Sequence, residues 1–194
     1  MRIGIDVMGG DNAPHPILDG ALVATTQLEA DDVVVLYGDQ EVINPVLEKT
    51  TIGPAKIEVV HTTQVITMGE SPVDAVRTKQ DSSLVAMCRD GSKRAENPLD
   101  AVISAGNTGA FVAGSQMYLR RLSGVHRPGI AAAVPTFAGT VAFIDIGANI
   151  EPKPIHIAQY GVMGKVYARQ ILGIENPRVA LMNVGGEEQK GTSD

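Results

Sequence analysis

The chain predicts an α/β fold, a parallel or mixed sheet covered by helices, and three observations carry that expectation. Short apolar runs patterned like buried strands recur along the sequence, helical stretches alternate with most of them, and run after run ends in glycine beside Asp or Asn. The strand patterns fall at about 3–7, 33–37, 57–61, 100–105, 130–134, 141–146 and 179–184. With 194 residues the chain can bury a good core and suits one large domain or one and a half.

Taken in order, 3–7 leads into Met8-Gly9-Gly10-Asp11-Asn12, and a helix is expected from near Pro14 to about Glu29 with Ile17, Leu18, Ala21, Leu22 and Leu28 facing inward. The run 33–37 enters Gly38-Asp39, and Ser71-Pro72 pairs a cap with proline in the first turn, a helix start. Residues 90–98 read as a surface loop. Residues 99–110, Leu-Asp-Ala-Val-Ile-Ser-Ala-Gly-Asn-Thr-Gly-Ala, pass from a strand through a glycine turn into a helix. The strands near 130 and 141 are too close for a crossover helix and should pair antiparallel. The run 141–146 ends in Gly147-Ala148-Asn149, 152–172 is the longest helical pattern, and 179–184 enters Gly185-Gly186-Glu187-Glu188. In 152–172, Ile155, Ile157, Tyr160, Val162, Met163, Val166 and Tyr167 are placed for packing or for a partner helix. The chain stops at Asp194, where a helix ought to begin, so the N-terminal part of a longer protein is expected.

Composition narrows the function. Sixteen Lys and Arg against 22 Asp and Glu give a net charge of −6, which argues against broad nucleic-acid binding and leaves room only for a local basic patch. The single cysteine, Cys88, allows no intrachain disulfide and reads as a buried structural thiol. No basic-then-apolar leader opens the chain, and Pro135, Gly139 and Asp145 interrupt 129–150 well short of a membrane span. Neither G-x-G-x-x-G, nor a P-loop, nor G-x-S-x-G is present, and His15, His61, His126 and His156 show no metal-ligand spacing with Cys88. No cofactor and no metal are therefore expected.

What remains is anion handling. A helix starting after Gly106 would aim free amides and the positive end of its dipole into the turn, with Asn107 and Thr108 as caps and donors. Taken singly, such a turn reads as a connector before it reads as a site. In a parallel sheet, however, the glycine ends share one edge, where open α/β folds bind ligands at the switch of strand order. Several turns would then converge on one pocket. Arg77, Lys79 and Lys153 each read singly as solvated cations, whereas Lys190, between Gly185-Gly186 and Gly191, is expected over the pocket. Asp6 and Asp145, in otherwise apolar strands, must be hydrogen-bonded or lie at an open strand end.

Ile-Asp-Val-Met-Gly-Gly-Asp at 5–11, Ser-Ala-Gly-Asn-Thr-Gly-Ala at 104–110, Arg-Pro-Gly at 127–129 and Asp-Ile-Gly-Ala-Asn at 145–149 resemble the bacterial phosphate acyltransferase of phospholipid synthesis, the PlsX family. Lys153-Pro154 with His156, Met163-Gly164 with Val166-Tyr167, and 186–191 extend the resemblance over essentially the whole chain. It implies a two-lobed, Rossmann-like α/β fold related to phosphotransacetylases and isocitrate-type dehydrogenases, a homodimer, and a cytoplasmic enzyme with room for peripheral attachment at the inner membrane face. The implied reaction moves a long-chain acyl group from acyl carrier protein to inorganic phosphate. Asn12, where relatives usually carry histidine, and Thr78 and Gln80, in a usually more basic run, depart from the pattern.

Phosphate is then the nucleophile, so the protein must hold two reactants together and stabilise a developing oxyanion. Gly106, Asn107, Thr108 and Gly109 are expected to cradle phosphate, with Ser104 in the same motif and Gly9, Gly10 and Asp11 assisting. Lys190 would steady the phosphate or the thioester carbonyl, with Asn149 and Lys153 completing a polar wall; Lys190, Asn107 and Asn149 are the catalytic candidates. Arg120, Arg121 and Arg127 read equally as a landing surface for the acidic carrier and as cations suited to a helix C-terminus. Two rivals stand beside this reading: a nicotinamide-dependent dehydrogenase of related fold, and a segment that binds phosphate or dimerises without catalysis.

Overall fold

The structure, a computed structural model, describes residues 1–183 and 185, and the chain divides into two compact units, Met1–Arg120 and Arg121–Asp194. In the first, β1 (Arg2–Asp6), α1 (His15–Thr25), β2 (Val33–Gly38), α2 (Gln40–Leu47), β3 (Lys56–His61), α3 (Pro72–Thr78), α4 (Ser83–Asp90), β4 (Ala101–Ile103) and α5 (Thr108–Tyr118) follow one another. The strands form one parallel sheet in the order β3-β2-β1-β4. β2, flanked on both edges, is a continuous apolar run buried at all six positions, as an interior parallel strand requires. Strand order reverses between β1 and β4, so the turns leaving those two strands sit side by side at the carboxyl edge.

Helices cover both faces of this sheet. Ile5, Val7, Val34 and Leu36 pack on Leu18 and Ala21 of α1 and Ile43 of α2. Val33, Val35 and Tyr37 point the other way, onto Ala86 and Met87 of α4 and onto Leu99. A third cluster joins Ala75 and Val76 of α3, Leu84, Val85 and Cys88 of α4, and Ala110 of α5. Cys88 lies wholly inside it, and burial pushes its thiol up to about 12, the inert structural thiol that was expected.

α1 ends earlier than the apolar pattern, which runs on to Leu28. Thr25 and Thr26 turn their hydroxyls back onto the carbonyls of Leu22 and Val23, and the Thr26 and Gln27 amides donate to Val23 and Ala24, tightening the last turn into a stop. Leu28 still packs against the core from beyond the helix.

In the second unit, β5 (Ala131–Thr136) and β6 (Gly139–Ile144) form the expected antiparallel hairpin, with Gly139 at φ 113° closing a two-residue loop. The hairpin is a two-stranded sheet of its own, so no strand runs antiparallel within the four-stranded sheet. α6 (Pro154–Gln170) buries His156, Tyr160 and Ala168, while Gly129 and Gly164 let the backbone close on Ile144. Its other face leaves Ile155, Val162 and Val166 exposed. The strand expected at 179–184 does not form over 179–183, where Leu181 and Met182 are 71% and 78% exposed. Strand propensity is realised only in a ladder, and no strand is formed over 179–183.

Candidate anion site at the strand ends

Asp6 closes β1 and is 1% exposed. Its Oδ2 accepts the Ser104 hydroxyl at 2.7 Å, and Ser104 Oγ in turn accepts the Gly106 amide at 3.0 Å. Burial raises Asp6 above the ordinary carboxylate range, against the opposing pull of Ser83, Ser104 and the Met8 and Gly9 amides. Glycine is required where the two turns meet. A Cβ on Gly9 would stand 2.3 Å from Asp6 Oδ2 and 3.0 Å from the Gly106 nitrogen, and one on Gly106 would stand 3.1 Å from Gly9 Cα. The turns at 9–10 and 104–107 therefore interlock, the convergence expected for this pair.

The helix behind the second turn is held from its side. Asn107 caps α5, its Oδ1 accepting the Ala110 amide at 3.0 Å, while its Nδ2 donates to the carbonyls of Thr67, Met68 and Glu70 at 3.1, 3.3 and 3.2 Å. This side chain is fully engaged inside the protein, 5% exposed, so the direct catalytic part expected of it gives way to capping and bracing. The Gly106 amide, expected toward phosphate, is taken by Ser104. What the turn can offer an anion is the start of α5 itself: the amides of exposed Thr108 and Gly109, which no preceding helical turn satisfies, and the Thr108 hydroxyl. Asp11 is exposed next to Gly10, on the β1–α1 turn.

Lys79, which reads singly as a solvated cation, is structural instead. Lys79 donates to the Val65 carbonyl at 2.7 Å and pairs with Glu70, whose carboxyl Lys79 holds down at about 2. It braces the loop that Asn107 ties down, and Arg77 stays exposed on α3. Asp39 at the Gly38 turn caps α2 by accepting the Glu41 amide at 2.9 Å, the connector role.

Within the second unit, Asp145 gathers the amides of Ile130, Gly147, Ala148 and Asn149 at 2.9, 3.3, 3.0 and 2.8 Å. Burial pushes its carboxyl up, but the bonds from Asn149, Ile130 and Ala148 outweigh burial and hold it below the usual range. Asn149 Nδ2 donates to Asp145 and to the Pro128 carbonyl. The amides of this turn satisfy an internal carboxylate, and Asn149, expected in a polar wall, is left with its carbonyl oxygen. Lys153 caps α6 through its backbone amide, donated to His156 Nδ1 at 3.0 Å, and its side chain is exposed. Lys190 and most of the 185–191 turn lie outside the described residues.

Sequence reasoning missed the loop at 67–70 and Ser83 as parts of this site. Asp6 was marked by its charge in an apolar strand; a loop recruited only through its carbonyls carries no such mark.

The family model described as "Fatty acid synthesis protein" matches residues 1–194. The chain belongs to this family. Among its relatives are proteins named phosphate acyltransferase from Desulfitobacterium hafniense (strain Y51), 44% identical over 191 residues, and from Heliobacterium modesticaldum and Geobacillus thermodenitrificans, each 43% identical over 192 residues. Each match covers 98% of this chain and 55 or 56% of the relative, so the chain spans about half the length of the family members it matches. Those names agree with the resemblance carried by the glycine motifs. No helix among the described residues is long and apolar enough to cross a membrane.

Proposed function

We propose that this chain forms the N-terminal part of a two-lobed enzyme that transfers a long-chain acyl group from acyl carrier protein to inorganic phosphate. A phosphate oxygen attacks the thioester carbonyl carbon, the C–O bond forms, the C–S bond breaks, and the carrier leaves as its thiolate and takes up a proton. The interlocked turns at 9–10 and 104–107, opening onto the start of α5, carry the reading: they present amides and a helix dipole to an anion without a built-in nucleophile. Gly9, Gly10 and Ser104 shape that turn, and Asp11, Thr108 and Gly109 border it. From the second unit we propose Lys190 and Lys153 as the cations the reaction calls for and the Asn149 carbonyl oxygen as an acceptor. In the cell we place the enzyme in the cytoplasm as a homodimer, with peripheral attachment to the inner membrane face.

Acyl phosphate formation by the full-length protein, followed by phosphorus NMR with acyl carrier protein thioester and phosphate, tests this directly. Lys190→Ala should lower turnover by roughly 100-fold, the effect of removing one oxyanion donor. Wild-type turnover in that variant removes Lys190 from the mechanism. Because the chain spans 55% of its relatives, a second reading, binding without catalysis, applies to the 194 residues by themselves. Comparing product formation by this chain and by the longer protein separates the two.

A further inference from the structure

We propose that Asp6 is a positioning residue that, through Ser104, sets the spacing of the two glycine turns and hence the aim of the α5 amides at phosphate. The inference rests on the acyl-transfer reading for what binds, but not for how the turn is built. Three observations support it. Asp6, Ser104 and the Gly106 amide form one continuous chain of hydrogen bonds, 2.7 and 3.0 Å long, from the end of β1 to the turn before α5. The Asp6 carboxylate also lies directly under Gly9, so the same group is the floor on which both turns rest. Finally, Asp6 Oδ1 is buried without a hydrogen bond of normal geometry. An acid kept at that cost in an apolar strand is not explained by packing, for which a hydrophobic side chain of similar volume would serve better.

The bond to Ser104, and not the charge, is what the arrangement uses. Ser104 Oγ accepts the Gly106 amide, so its proton must go to an acceptor, and Asp6 Oδ2 is that acceptor. Asparagine at position 6 could still accept the Ser104 hydroxyl and fill the same space; alanine could do neither.

The test compares Asp6→Ala, Asp6→Asn, Ser104→Ala and the double alanine variant in the full-length enzyme, reading inorganic phosphate affinity by equilibrium binding and the KM values for phosphate and acyl donor. Asp6→Ala should weaken phosphate binding about 10-fold or more while the acyl-donor KM stays within about twofold, since a misplaced turn costs orientation for one reactant. Asp6→Asn should stay within about threefold of wild type. The double variant should be no worse than the worse single, because both act through one chain of bonds. Unchanged phosphate affinity in folded Asp6→Ala overturns the proposal, as does an Asp6→Asn variant as impaired as the alanine. Should Asp6→Ala fail to fold, Ser104→Ala decides alone, and wild-type phosphate affinity there is the overturning result. A wild-type enzyme that binds phosphate yet makes no acyl phosphate sinks the acyl-transfer reading and leaves this comparison intact; one that binds no phosphate sinks both.

Discussion

Replacing Asn107 by alanine removes the acceptor that caps the Ala110 amide and strands the Thr67, Met68 and Glu70 carbonyls that its Nδ2 now satisfies. A lost cap costs about 1 kcal/mol and a stranded buried polar group about 1–3 kcal/mol, so Asn107→Ala should lower stability by roughly 2–4 kcal/mol in urea denaturation. Asn107→Asp, which keeps the cap but sets a carboxylate oxygen against those carbonyls, should cost at least as much. Gly9 offers the opposite experiment, in which an atom is added. A methyl there would meet Asp6 Oδ2 at 2.3 Å, so Gly9→Ala should cost about 1–3 kcal/mol by overpacking and weaken phosphate binding as the turn shifts. A Gly9→Ala protein with wild-type stability and affinity would show that the two turns do not interlock.

Helix ends decide two further outcomes. α5 finishes with Arg120 at φ 68°, its amide donating to the Ser115 carbonyl in the left-handed position that glycine normally takes. Arg120→Gly should therefore stabilise the first unit by about 1 kcal/mol, read as a rise in denaturation midpoint. At the start of α6, His156 accepts the Lys153 amide through Nδ1, which requires the neutral ring with its proton on Nε2. Burial, and then the charges of Arg127, His126 and Lys153, lower its pKa below 6.5. The folded state then binds fewer protons than the unfolded one. His156 contributes its full stability above pH 6.5, and the contribution is lost as pH falls from there through the lowered value. Denaturation of the wild type between pH 7.5 and 5.5 should show that decline, and His156→Asn should flatten it.

At the scale of the whole chain, the net charge of −6 on these 194 residues would make the proposed meeting with an acidic carrier depend on local cations. Arg120, Arg121 and Arg127 are exposed, with the Arg121 guanidinium donating to the His126 carbonyl. Complementary charge acts mainly on association rate, so Arg120→Glu with Arg121→Glu should slow carrier binding and weaken its salt dependence. An unchanged salt response would remove these arginines from the docking surface.

The α/β class, the strands at 3–7, 33–37 and 57–61, the hairpin and the long helix within 152–172 were all legible, because each rests on local periodicity and turn chemistry. So were the glycine turns at 9–10 and 106 and the need to satisfy Asp6 and Asp145, since a charge in an apolar strand demands partners wherever it lies. Which turns meet was a matter of strand order: β4 joins β1 and not β3, and that choice is made by long-range pairing. Tertiary structure also decided how the donors are used. The side chains of Asn107, Lys79 and Asn149 look alike in the sequence whether they face a ligand or the protein, and only their neighbours in space, a loop carbonyl, Glu70 or Asp145, turned each inward. Hydrogen-bonding capacity is a property of the residue, whereas its direction is set by whichever partner the fold brings within about 3 Å.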